Sequence, residues 1–205
     1  MQQTVAVAGR FLIQMLDSEL RRYDVEPLTG LLCRDAFYDQ VATLIGARTR
    51  RDDQFLVVVV VRLDSFTLLT ALAGAVGGDR ARVAISQALR EAVRRGTVVA
   101  HVPDADFLIA ELFTPADPGP LTERVRGTIS TAPFGLTASI GAVSTPLPPL
   151  AGHPCGDVLD EILSLATTAM CEARQTGGNQ AGLRLSPHLS SLHDPTPQSP
   201  GADAA

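Results

Sequence analysis

Phe55-Leu56-Val57-Val58-Val59-Val60-Val61-Arg62-Leu63 is the stretch that decides the architecture. A strand with one wet face alternates apolar and polar residues, whereas this run is apolar at consecutive positions and rich in β-branched valine. It therefore predicts a central strand covered on both faces. Past Asp64 the pattern turns helical, is punctuated by Gly74, Gly77 and Gly78, and resumes from Asp79 to Val93. Upstream, Pro27 to Gly30 breaks the chain and Thr29 is placed to cap a helix carrying Ala36, Phe37, Val41, Leu44 and Ile45 at helical spacing.

Further outward, Thr97 to Val102 and Asp106 to Phe113 read as two short strands joined by a turn at Pro103-Asp104. Leu121 to Ile129 reads as a helix and Gly135 to Val143 as a strand. Asp157 to Arg174 is the clearest late helix, stopped by Gly177-Gly178. Leu183 to Leu185 adds an edge strand. Strands alternating with helices, plus one hairpin, predict an α/β sandwich: a central, mostly antiparallel sheet flanked by helices. The division expected is an amphipathic helix in residues 1–23, a folded domain in 24–186, and a Pro/Ser-rich disordered tail in 187–205. In the first segment Phe11, Leu12, Met15, Leu16 and Leu20 share one helical face, which can pack on the body of the protein or on a partner.

Composition narrows the function. The chain has 205 residues with 45% hydrophobic and only 4% aromatic residues, so its core is aliphatic and offers few platforms for stacking bases. A net charge of −5 argues against a general nucleic-acid binder, which needs a basic footprint. The cysteines, Cys33, Cys155 and Cys171, are odd in number and widely spaced, which suits reduced thiols in a cytoplasmic protein better than a disulfide framework or zinc site. The apolar run from Phe55 to Val61 is too short to span a bilayer, so no membrane association is expected.

Several short motifs, taken in order, resemble those of the GGDEF domain of diguanylate cyclases. They are Glu26-Pro27-Leu28-Thr29-Gly30-Leu31-Leu32-Cys33-Arg34, Arg62-Leu63-Asp64-Ser65-Phe66-Thr67, Gly74, Gly78-Asp79, Pro103-Asp104-Ala105-Asp106-Phe107, Ser139-Ile140-Gly141, and Cys171 to Asn179. The resemblance covers roughly residues 24–185 and implies a nucleotidyl-cyclase-like fold. Its family joins two GTP molecules into cyclic di-GMP across a homodimer, with Mg²⁺ held beside the phosphates.

At the functional positions the chain departs from that pattern. Arg62 stands where the family has its Mg²⁺-binding Asp, and a guanidinium repels a cation while suiting phosphate. Asp64 persists and is expected to cap the following helix rather than hold metal. Thr70-Ala71 stands where the family has its guanine-reading Asn-Asp pair. Pro103-Asp104-Ala105-Asp106 replaces the signature Gly-Gly-Asp-Glu, removing the glycines that admit the nucleotide and one backbone N–H. Arg174 keeps the charge of the phosphate-binding Lys, while Gly178 replaces the second basic residue. Arg94 keeps the first position of the product-inhibition motif, and His101 is expected at a sheet rim.

The expectation is a non-catalytic GGDEF-like signalling or regulatory domain acting through protein contacts, as a homodimer or with another signalling protein. The alternatives are a nucleotide sensor binding GTP or cyclic di-GMP, or a diguanylate cyclase using Mg²⁺. No cofactor is expected unless residual GTP binding or turnover exists. The weak nucleotide candidates are Arg62, Thr70 and Arg174. Asp64, Asp104 and Asp106 are the weak metal candidates, and Asp106 and Arg174 the vestigial catalytic ones.

Overall fold

The computed structural model describes residues 24–48, 53–103, 106–114, 116–150 and 153–192. The expected N-terminal helix, the turn residues Asp104 and Ala105, and residues 193–205 lie outside the described residues.

The valine run forms β1 (Phe55–Leu63), the middle strand of a five-stranded sheet. It is followed by α2 (Phe66–Ala92), β2 (Val98–Val102), β3 (Asp106–Phe113), α3 (Gly119–Thr131), β4 (Ala138–Pro146), α4 (Cys155–Gln175) and β5 (Ala181–Leu185), with α1 (Arg34–Arg48) preceding it. The spatial order is β2-β3-β1-β4-β5. β1 runs antiparallel to both neighbours, β2 antiparallel to β3, and only β5 lies parallel to β4. The mostly antiparallel α/β sandwich expected from the sequence is the fold observed.

The pleat of β1 explains its composition. Val57, Val59, Val61 and Leu63 enter one core with Ala81, Ile85 and Leu89 of α2 and Leu121, Val125 and Ile129 of α3. Leu56, Val58 and Val60 enter the other with Phe37 and Val41 of α1 and Val158, Ile162, Ala166 and Met170 of α4. Both faces are dry, so neither set can be polar. Each buried Val or Leu removes enough apolar surface to contribute about 1.5–3 kcal/mol.

The helix after Asp64 is not straight. Gly74 has φ 71° and ψ 176°, a non-helical conformation inside α2 that a residue with a Cβ adopts only under strain. In a straight helix Phe66 and Arg82 would stand about 24 Å apart. The Arg82 guanidinium instead lies 4.7 Å from the centre of the Phe66 ring, so the chain doubles back at Gly74. A Cβ on the buried Gly78 would press on Thr70, which shows how closely the two arms lie.

Other boundaries differ for local reasons. Thr29 does not cap α1, which starts at Arg34. Its N–H and hydroxyl donate to the Glu26 carboxylate at 2.8 and 2.6 Å, closing the turn at Pro27 instead. The folded body also runs past the boundary expected at 186. Leu189 is buried, and Ser190–Leu192 forms a 3-10 turn whose Ser190 and Ser191 N–H groups donate to Glu161 on α4 at 2.7 and 2.8 Å.

Two consequences are measurable. A Cβ on Gly141 of β4 would run into the Ala166 carbonyl and the Met170 N of α4. Gly141→Ala should therefore destabilise the protein by about 1–3 kcal/mol in urea unfolding; an unchanged midpoint would mean the helix shifts freely. Partial burial raises the Glu161 pKa, but the N–H and hydroxyl groups of Ser191 and Ser190 outweigh it, holding the carboxyl at about 2 against an ordinary 4.5. A folded-state pKa below the unfolded one stabilises fully above pH 4.5 and less as pH falls towards 2. Hydrogen-exchange protection of the Ser190 and Ser191 amides should fall through that window, and flat protection would show that another group clamps the turn.

Candidate functional site

Where β1 ends and α2 begins, the chain leaves a cleft of about 670 Å³. Its walls include Arg62 from the strand end, Phe66, Thr67 and Thr70 from the first arm of α2, Arg82 from the second arm, and Arg174 from the last turn of α4. Among the described residues no Asp or Glu lines it. Its arginines favour an anion, and guanidinium groups pair well with phosphate oxygens.

Asp64 sits beside this cleft but turns away from helix capping. Ser139 Oγ donates to its Oδ1 at 2.7 Å, while Thr137 Oγ1 and the Asn179 N–H donate to Oδ2 at 2.8 and 2.9 Å. The helix itself starts from Ser65, left-handed at φ 58° and with no side-chain cap. Asp64 thus joins the end of β1 to β4 and to the turn after α4. Gly178, in place of the family's second basic residue, lies against the same carboxylate.

Those bonds decide how well a cation fits. A hard dication wants several oxygen ligands with free lone pairs. Three of the roughly four lone-pair positions of the Asp64 carboxylate already accept hydrogen bonds, and the next wall residue is the cationic Arg62. Among the described residues no group of three or more His, Cys, Asp or Glu side chains is placed to hold a metal ion. The described residues therefore do not fit Mg²⁺. Asp104 and the side chain of Asp106 lie outside the described residues; the backbone of Asp106 pairs with Arg62 across β1 and β3.

The candidates divide accordingly. Arg62, Thr70 and Arg174 come together at the cleft, and Asp64 serves the scaffold behind it. Thr70 Oγ1 lies 2.9 Å from the Thr67 carbonyl and 3.2 Å from that of Phe66, so its hydroxyl hydrogen is taken up by its own helix. Ala71 is exposed. His101 lies on β2, the edge strand of the sheet, where it is buried against Phe107 with Nδ1 3.4 Å from the Glu26 carboxylate. Burial raises the Glu26 pKa, but the Thr29 hydroxyl, the N–H groups of Leu28 and Thr29, and His101 together hold it below the usual value. Arg94 lies apart, 3.7 Å from buried Glu111 and over the Phe113 ring.

Sequence reading missed Arg82. Its Nη1 meets Asp79 at 2.9 Å, its guanidinium covers Phe66, and its buried Nε has no acceptor among the described residues. The only signal was spacing. Arg82 follows buried Gly78 by one helical turn and borders the line Ala81, Ile85, Leu89. Its approach to Phe66 depends on the reversal at Gly74, which helical periodicity does not show.

A largely antiparallel sheet flanked by helices is the architecture of nucleotidyl cyclase-like domains. Residues 23–180 match the family model described as diguanylate cyclase, GGDEF domain, and the chain belongs to that family. Among solved structures it resembles the diguanylate cyclase SiaD of Pseudomonas aeruginosa, solved with its activator SiaC. The TM-score is 0.66 at 22% identity, covering 89% of this chain and 71% of that one. The coiled coil and GGDEF domain of Caulobacter crescentus DgcB, in complex with c-di-GMP, aligns at TM-score 0.67 and 17% identity over 89% and 96% of the two chains. The GGDEF domain of FimX from Pseudomonas aeruginosa aligns at 0.63 and 20% over 78% and 99%. No curated protein matches the chain significantly. Among the described residues no helix is long and apolar enough to cross a membrane.

The role of Asp64 is open to a direct test. Asp64→Ala strips the acceptor from two hydroxyls and one N–H, and should destabilise the fold by about 2–3 kcal/mol after water recovers part of the loss. The deficit in thermal unfolding should be the same in EDTA and in Mg²⁺. Stabilisation of the wild type by Mg²⁺ that the variant lacks would make Asp64 a ligand instead.

Proposed function

We propose that this GGDEF domain is a sensor that binds a phosphate-bearing guanine nucleotide, GTP or cyclic di-GMP, without cyclising it. The observation that carries the reading is the cleft at the end of β1, which Arg62, Arg82 and Arg174 line with no carboxylate among the described residues. Phosphate oxygens meeting such groups form charge-assisted bonds worth about 1.5–3 kcal/mol each. Cyclisation requires more. The 3′-hydroxyl of one GTP must attack the α-phosphorus of another, and a cation must carry the charge that grows there. The donor set around Asp64 and Arg62 argues against that step.

A second reading, signalling through contact with another copy or another signalling protein, has the exposed Leu68, Leu72 and Val76 of α2 in its favour. These large apolar side chains lie on the arms that frame the cleft, so ligand and partner could influence one another.

Calorimetry of purified protein with GTP and cyclic di-GMP, paired with chromatography of the reaction products, separates the readings. Saturable heat with GTP recovered intact is expected. A protein- and metal-dependent cyclic di-GMP peak would restore the cyclase, and absence of heat with either nucleotide would leave protein contact as the better account.

A further inference from the structure

Resting on the nucleotide-binding reading, we infer that the cleft recognises a linear polyphosphate chain without dependence on a divalent cation and with little regard for the base attached to it. Three features converge on this ligand class. The first is Arg82, which enters the cleft from the second arm of α2, is steadied by Asp79 and Phe66, and still carries a buried Nε without an acceptor among the described residues. Arg174 lines the same cleft from the last turn of α4 and is exposed. Two guanidinium groups on separate elements suit a ligand with several anionic oxygens in a row, such as a triphosphate, better than a single phosphodiester.

The second feature is the lack of a base reader among the described residues. Discrimination of guanine from adenine needs groups of fixed donor or acceptor character, such as a carboxylate facing N1 and N2. The cleft offers hydroxyls (Ser65, Thr67, Thr70) and apolar walls (Leu63, Phe66, Leu68). A hydroxyl both donates and accepts and so distinguishes the two purines poorly. That of Thr70 is further committed to its own helix.

The third is the sign of the metal effect. Mg²⁺ bound to a triphosphate lowers the negative charge presented to the arginines, and the described residues provide no carboxylate set to hold the ion. Free triphosphate should thus bind more tightly than its Mg²⁺ complex. In a Mg²⁺-dependent site the order is reversed.

The test is calorimetry of the full chain with GTP, ATP and inorganic tripolyphosphate, each in EDTA and in excess Mg²⁺. The expected result is affinities within about threefold across the three ligands in EDTA. Each should weaken severalfold in Mg²⁺. Arg82→Met and Arg174→Met should each reduce affinity about tenfold, in line with one lost charge-assisted contact. Arg174 is exposed, so its variant reports on binding even where the Arg82 change disturbs packing. Binding of GTP with ATP and tripolyphosphate silent would overturn this inference and leave the nucleotide sensor standing. So would tighter binding in Mg²⁺, or a preference for cyclic di-GMP over all three. No heat from any ligand would remove the sensor reading as well.

Discussion

The carboxylate of Asp64 is the interaction on which the site depends. It sits where β1 ends, and its three donors come from β4, from the segment leading into β4, and from the turn after α4. The β1–β4 ladder already fixes the register of those two strands, and the carboxylate ties the turn after α4 to them. The hydrogen bonds have direction, so they set where Arg174 at the end of α4 stands relative to Arg62 on β1. A residue with the chemistry of a metal ligand is thereby committed to holding the walls of the cleft.

Gly74 supplies the other half of the geometry. Because the chain reverses there, residues sixteen positions apart in α2 share one wall, and a guanidinium covers an aromatic ring that helical rise alone would carry far away. Phe66 anchors this arrangement from below, packed on the core that β1 shares with α2 and α3. Scaffold and site are thus continuous. The buried side of Phe66 belongs to the core, and its ring face supports the cation.

The legible and illegible parts of the chain separate on physical grounds. β1 and β3 run between the residues expected of them because apolar runs bounded by turn residues leave little freedom in register. The entry to α1 was misjudged because Thr29 has two possible acceptors in its neighbourhood, and a nearby carboxylate at Glu26 outcompetes the helix terminus. Asp64 is expected from the sequence to cap the following helix, and its carboxylate takes other partners. Capping is a local pattern visible in sequence, whereas Thr137, Ser139 and Asn179 are distant in the chain. Arg62 and Arg174 could be found through motif positions, and Arg82 could not, since its role arises from a tertiary reversal. Local chemistry was readable from the residues, and long-range pairing was not.

Charge balance explains why an arginine cleft is compatible with an acidic chain. At physiological ionic strength the field of a surface charge fades over about 8 Å, so the net charge of −5 acts weakly at any one point while neighbouring groups dominate. Asp79 offsets part of the charge of Arg82, and Arg174 has no comparable counterion among the described residues. The net field disfavours long polyanions such as nucleic acids, whose phosphates would overrun the cleft and meet the acidic surface. A compact anion between α2 and α4 would face arginines, hydroxyls and apolar walls among the described residues. Under the nucleotide-binding reading, the overall negative charge and the local positive one would together favour a small anion over a long one.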